Sequence, residues 1–379
     1  MTTKRWVGYS RCMNMAIPEI AQQVSASRQK VMDELSCRLI KALLTQTKLP
    51  LGQVANHAGL ANPRALNRAT QRLFNATAAN LRAKHADANE LAKDPLFGEA
   101  ITVELPVQGP YDLGWVFDYL AARALEGIET VKDHHYQRRV SPAGASPVYV
   151  HVYAQKRALH TRLPLSCGSA QSWLARVVRL FDLGVDSRVI DRALKKAPVL
   201  GASVAAAPGL RVPGAWDGFE SAVRAVLGQQ VSVARGTELA NRMIEAYGGG
   251  DFPAPRQLVD QEIAELGMPG NRGRAISTLS QWVAQQSLAL LEGEDTEAFV
   301  EQIASIKGIG PWTQNYMRLR IVKNVDAFPH NDWVVLKQLQ ATPSQALKLS
   351  AHWHPWRAYA LMHIWRMAGL ERPRRKNQL

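Results

Sequence analysis

The stretch 304–317, ASIKGIGPWTQNYM, restricts the fold more than any other part of the chain. Two glycines one residue apart, followed at once by a proline, end one element and start the next. Residues 296–306, TEAFVEQIASI, place apolar side chains at helical spacing. Pro311 suits the first turn of a new helix, where an N–H would have no partner anyway. The segment therefore predicts two helices joined by a tight glycine hairpin. Such a turn presents unpaired backbone N–H groups at the positive end of a helix dipole, a setting that favours an anion. Glycine lets the anion approach with no Cβ in the way. The same pattern also fits a plain helix–helix connector.

The charge balance bears on that choice. The chain has 379 residues, room for two or three domains, and 46 Lys and Arg against 32 Asp and Glu, a formal net charge of +14. That excess favours a polyanionic partner, nucleic acid or a lipid surface. No segment has the length and purity of a membrane span, and the opening MTTKRWVGYSRCMN lacks the apolar core of a signal peptide. A cytoplasmic protein is expected. Cys12, Cys37 and Cys167 are far apart, which excludes an all-cysteine four-ligand zinc or iron–sulfur centre. They read as free thiols, and neither zinc nor an iron–sulfur cluster is expected.

Residues 35–86 contain no Asp or Glu but eight Lys and Arg. Within them, 49–74 (LPLGQVANHAGLANPRALNRATQRLF) reads as two short helices about a turn at Gly59. Asn62 is placed to cap the second helix, with Pro63 at its first position. Leu66, Ala69, Leu73 and Phe74 form its apolar stripe, leaving Arg64, Asn67, Arg68 and Arg72 outward. This is helix-turn-helix geometry with a second helix fit for a major groove, although a solvated basic helix pair would read the same way. From RLIKALLTQTKLPLGQVANHAGL onward the region resembles the second helix-turn-helix of AraC-type transcription regulators, the alkylation-response regulator Ada among them. Residues 18–35 are similar to the start of that family's first unit, which is here truncated.

A mixed, polar stretch around 87–100 reads as a linker. Residues 101–108, ITVELPVQ, then alternate cleanly as a half-buried strand, with further strands at 148–155 and 159–165 and a helix at 115–127. From about 172 onward the periods are helical. The expected fold is mainly α with one α+β domain: a helix-turn-helix region over 1–95, the α+β domain over 101–171, a helical domain over 172–372 and a basic tail over 373–379. Removal of 1–95 is expected to weaken duplex binding and spare any chemistry of the rest.

Downstream of the hairpin, 328–333 (FPHNDW) sets Asp332 at the start of another helix, WVVLKQLQ. An acid there is favoured by the helix dipole and is by itself an ordinary N-cap. Asp326 is a rival acid. Hairpin, helix, loop and aspartate together resemble the helix-hairpin-helix base-excision DNA glycosylases. Within these the chain is most similar to the bacterial 3-methyladenine DNA glycosylase II group, over roughly 104–370. The matching segments include 110–131, 177–184, 222–234 and 355–365.

This resemblance implies a monofunctional DNA glycosylase that flips alkylated bases out of duplex DNA and hydrolyses the N-glycosidic bond, the first step of base excision repair. Asp332 stands at the family's catalytic carboxylate, where it would stabilise an oxocarbenium ion. Trp312 occupies the position at which bifunctional relatives carry a Schiff-base lysine. Trp312, Tyr316 and Trp365 correspond to an aromatic base pocket, with Tyr119 near its far wall. Electron-rich ring faces attract a cationic alkylated base by roughly 0.5–2 kcal/mol each. Lys307, Gly308, Ile309, Gly310 and Thr313 would hold the DNA backbone, with a monovalent cation as a further occupant of the hairpin. Gln230 stands where a relative inserts an apolar wedge. A bacterial, nucleoid-associated protein is implied; the sequence does not show its oligomeric state, and monomer is the default. The other readings are an Ada-like regulator that senses damage without turnover, and a DNA-structure-binding protein with a dead site.

Overall fold

The computed structural model describes residues 17–84, 99–141, 146–156, 158–166, 168–286 and 296–369, with backbone alone for 17–25 and 296. Most of the linker, the basic tail, Cys12 and Cys167 lie outside the described residues.

The described residues open with a 30-residue helix, α1 (Ile17–Gln46), so residues 18–35 form part of one continuous helix and not a shortened helix-turn-helix. Val31, Leu35, Leu39 and Leu43 recur every fourth residue and are all buried, the stripe expected of a helix lying on a core. Two short helices come next, α2 (Leu51–His57) and α3 (Pro63–Phe74), then α4 (Ala78–Ala83). Gly59 takes a φ of 69° in the α2–α3 turn, and the Asn62 side chain accepts from the Ala65 N–H, as the turn and cap residues predict.

The sheet is antiparallel throughout, in the order β1-β5-β4-β3-β2. Its strands are β1 (Ala100–Leu105), β2 (Glu129–Lys132), β3 (His135–Val140), β4 (Val148–Gln155) and β5 (Ala158–Pro164), with α5 (Leu113–Ala121) between β1 and β2. Sequence reading missed β2 and β3. Asp133 and His134 both take positive φ and close them into a tight hairpin without glycine. Arg138 occupies an inward strand position and is buried against Glu129 and Glu220. A charged residue on the core face hides the period-2 alternation. The outer edge of β1 is covered by α1. Gln46 pairs with both the N–H and the carbonyl of Thr102, each at 2.9 Å, and Arg38 reaches the Glu104 carboxylate at 2.8 Å.

The rest of the described chain is helical. α6 (Ala170–Leu180), α7 (Ser187–Leu194) and α8 (Gly201–Ala206) pack with the sheet and with the last helices, α15 (Trp333–Leu339), α16 (Pro343–Ser350) and α17 (Arg357–Met367), around one core that also takes in α1–α3. A second core gathers α9 (Gly218–Leu227), α10 (Val233–Met243), α11 (Pro255–Leu258), α12 (Gly270–Ala284), α13 (Thr296–Ile303) and α14 (Pro311–Met317). Tyr316 packs against both cores, which places the hairpin helix on the seam between them. Among the described residues no helix is long and apolar enough to cross a membrane.

Candidate active site

Asp332 is the N-cap of α15, and its side chain turns inward, only 7% exposed. One oxygen, Oδ1, accepts from the N–H groups of Val334 and Val335 at 3.1 Å each and, at 3.4 Å, from the Trp365 indole. The other, Oδ2, accepts from the Trp312 indole at 2.9 Å. Every donor is a neutral N–H. Among the described residues no Lys, Arg or His lies within ion-pair distance of it, so its charge is oriented without being cancelled. The rival acid is in the opposite condition. Asp326 accepts from Arg357 Nε at 2.6 Å and pairs with His354 Nδ1 at 2.9 Å, which makes it a clamp at the start of α17.

Trp312 and Tyr316 are four apart on α14, one above the other on the same helix face. Their rings stack at 5.2 Å and 15°, and Trp365 lies 6.5 Å beyond Tyr316. The structure thus gathers three of the four aromatic residues around the carboxylate. Tyr119 is placed differently from expectation. It is fully buried behind the pocket and meets it only through its hydroxyl, 3.4 Å from that of Tyr316. After α14 the helix widens into a π-helical turn, Arg318–Val322, which carries Arg320 inward. Arg320 donates to both tyrosine hydroxyls, at 2.9 Å to Tyr316, and to the Gly214 carbonyl at 2.8 Å. Burial alone pushes the Tyr316 phenol up. The charges of Arg320, Arg123 and Arg224 and the hydrogen bond with Tyr119 outweigh it and bring it down to about 8. Behind Tyr316 a small cavity of about 40 Å³ is lined by Arg123, Glu129, Glu220, Arg224 and Arg320.

The hairpin between α13 and α14 uses its two glycines differently. Gly308 has a φ of 102°, and a Cβ there would come within 2.9 Å of the Ala275 side chain on α12, so both backbone and packing require glycine. Gly310 has an ordinary φ of −82°, and a Cβ would meet nothing within 4 Å. Nothing inside the protein demands glycine at that position. Lys307 is exposed and Ile309 is buried as the anchor of the turn, leaving only its backbone for an outside partner. Thr313 was expected at the DNA surface but is buried, with its hydroxyl accepting from Gln229 Nε2 at 2.9 Å.

That Gln229 was not singled out in the sequence. The same amide nitrogen donates to the Gly308 carbonyl at 2.7 Å, and the backbone carbonyl of Gln229 accepts from Arg272 at 2.6 Å, tying the α9–α10 loop to the hairpin. Gln230 next to it is exposed with a φ of 55°. A cation at the hairpin would need backbone oxygens. Those of Gly308 and Ile309 each accept one hydrogen bond, from Gln229 at 2.7 Å and from Gln314 at 3.1 Å, which leaves each a second lone pair. On α3, Arg64, Arg68 and Arg72 are exposed. Asn67 is exposed too, but its side-chain carbonyl oxygen caps α4 by accepting from the Ala78 N–H at 3.1 Å.

Residues 102–217 match the model of the AlkA N-terminal domain. The chain is 36% identical over 278 residues to DNA-3-methyladenine glycosylase 2 of Escherichia coli, covering 69% of this chain and 96% of that protein. It is 34% identical over 344 residues to a Mycobacterium tuberculosis protein described as a probable bifunctional transcriptional activator/DNA repair enzyme AlkA, covering 86% and 68% respectively. In fold it is similar to the 3-methyladenine DNA glycosylase of Archaeoglobus fulgidus, with a TM-score of 0.58 at 16% identity over 71% of this chain and 98% of that one.

Proposed function

The chain belongs to the DNA-3-methyladenine glycosylase 2 family and is a DNA glycosylase, and on that footing we propose that Asp332 is the carboxylate that drives release of alkylated bases from duplex DNA. The observation that carries this reading is the isolation of that carboxylate: buried, held by four neutral N–H groups, and unpaired with any cation among the described residues.

The chemistry is set by charge. The bond between the base and C1′ breaks, and its electron pair leaves with the base, discharging the positive ring. The sugar becomes an oxocarbenium ion beside the Asp332 oxygens, and water adds at C1′ and loses a proton. Because an alkylated base is already cationic, no strong acid is needed to protonate it. Trp312 offers no amine for a Schiff base, so the product is an intact strand with an abasic site. The Trp312–Tyr316 stack and Trp365 offer ring faces to the flipped base, with Gln230 at the mouth of the gap it leaves. The backbone of the Lys307–Gly310 hairpin holds phosphate, and the arginines of α3 add sequence-independent duplex affinity, with the enzyme acting as a monomer on chromosomal DNA.

The test is single-turnover release of 3-methyladenine from methylated duplex by wild type and Asp332→Asn. A unit charge about 4 Å from the sugar at an effective dielectric near 20 contributes about 4 kcal/mol, so the variant is expected to be slower by roughly a thousandfold. Duplex affinity should be unchanged and strands should remain uncut. Excision by Asp332→Asn at the wild-type rate would refute the assignment.

A further inference from the structure

Trp333 directly follows Asp332, yet its side chain goes the opposite way. Asp332 turns into the protein and Trp333 stands 69% exposed on the first turn of α15. It is the only exposed aromatic side chain among the large exposed hydrophobics of the described residues; the others are Val189, Val199 and Leu347. A bare indole keeps a large apolar surface in water, so a tryptophan in that state usually belongs to a contact. One turn on, Lys337 places its ammonium 4.8 Å from the centre of the ring. The pair presents a flat apolar face with a positive charge at its rim.

We propose that Trp333 and Lys337 form a clamp for the damaged strand beside the flipped nucleotide: the indole packs on the sugar or base flanking the emptied position, and Lys337 meets its phosphate. This rests on the reading of Asp332 as the catalytic group, and it extends that reading to the strand that delivers the sugar. The occupant is identified by adjacency and charge. A nucleotide whose C1′ lies against Asp332 is covalently joined to neighbours within a few ångströms of the next residue along the chain. Those neighbours offer a stacking face and an anion, the complement of what Trp333 and Lys337 present.

The experiment uses the full chain and a duplex with a tetrahydrofuran abasic analogue, so that binding is read without turnover. Trp333→Ala is expected to weaken that complex about tenfold, while Trp333→Phe, which keeps a ring, loses no more than about threefold. Lys337→Gln should lower the slope of log Kd against log salt by about one. Base release at saturating duplex should change less than threefold in all three variants, a KM effect without a kcat effect. The site is exposed, so their melting temperatures should match wild type and report on folding separately. Should Trp333→Ala bind the analogue as tightly as wild type, the clamp is wrong while the role of Asp332 stands. Failure of the wild type itself to prefer the abasic duplex over an undamaged one would count against the glycosylase reading of the site as a whole.

Discussion

Tyr316 connects the pocket to the charges behind it. Its ring forms the floor under Trp312, while its hydroxyl is gripped by Arg320 and faces Tyr119. With the phenol brought down to about 8, it is neutral at pH 7 and gains a negative charge as pH rises through 8. That charge strengthens attraction for a cationic base and does nothing comparable for an uncharged one. The ratio of excision rates, ring-methylated cationic base over neutral damaged base, should therefore rise several-fold between pH 7 and 9. In Tyr316→Phe, which keeps the stack, the ratio should be flat; a flat ratio in the wild type would remove the phenolate from the account. Much of this was readable in the sequence, because 312 and 316 share a helix face and Asp332 begins a helix. The environment of Tyr316 was not. Tyr119 comes from 197 residues earlier in the chain, whereas Arg320 is only four residues on, within the π-helical turn Arg318–Val322. No local pattern encodes the contact with Tyr119.

The hairpin as an element separates two demands that the sequence writes with one letter. Gly308 is required by a φ of 102° and by Ala275 beside it. Gly308→Ala should thus cost about 1–3 kcal/mol of stability, read as a lower denaturation midpoint. Gly310 meets no protein atom within 4 Å of a would-be Cβ, so Gly310→Ala should melt like wild type. Its effect should be on DNA, with duplex affinity reduced about tenfold because the methyl occupies the space a phosphate would fill. If Gly310→Ala bound duplex normally, the hairpin would be a connector and its second glycine unexplained. The hairpin itself was plain from Gly, Gly and Pro. The part of Gln229 in holding it, from a loop 79 residues away, was not, since a lone glutamine has no pattern to betray it.

The largest revision concerns how the whole molecule hangs together. Sequence reading set residues 1–95 apart as a removable DNA-binding region, because their charge and their resemblance differ from those of the chain beyond the linker. The turn between α2 and α3 was correctly located by Gly59, Asn62 and Pro63, but α1 in front of it is no tether. Its leucines share one core with the sheet and with α17, Gln46 completes the outer edge of β1, and Arg28 donates to the Lys323 carbonyl at 3.0 Å, just past the hairpin helix. Tertiary contacts of this kind leave no trace in local composition. A chain starting at residue 99 would expose that apolar face and a bare strand edge, so it should lose soluble, cooperative folding along with activity. The decisive comparison separates the two functions that truncation would confuse. Leu35→Ala or Leu39→Ala, cutting into the shared core, should lower stability by about 2–5 kcal/mol while leaving duplex affinity intact in the folded fraction. The triple change of Arg64, Arg68 and Arg72 to Ala on the exposed face of α3 should leave melting unaltered. It should flatten the salt dependence of duplex binding by up to about three units of slope, and base release at saturating DNA should stay at the wild-type rate. If instead the leucine variants were as stable as wild type and the truncated chain excised bases normally, α1 would be an accessory after all, and the contacts it makes with β1 would carry no weight in holding the catalytic half together.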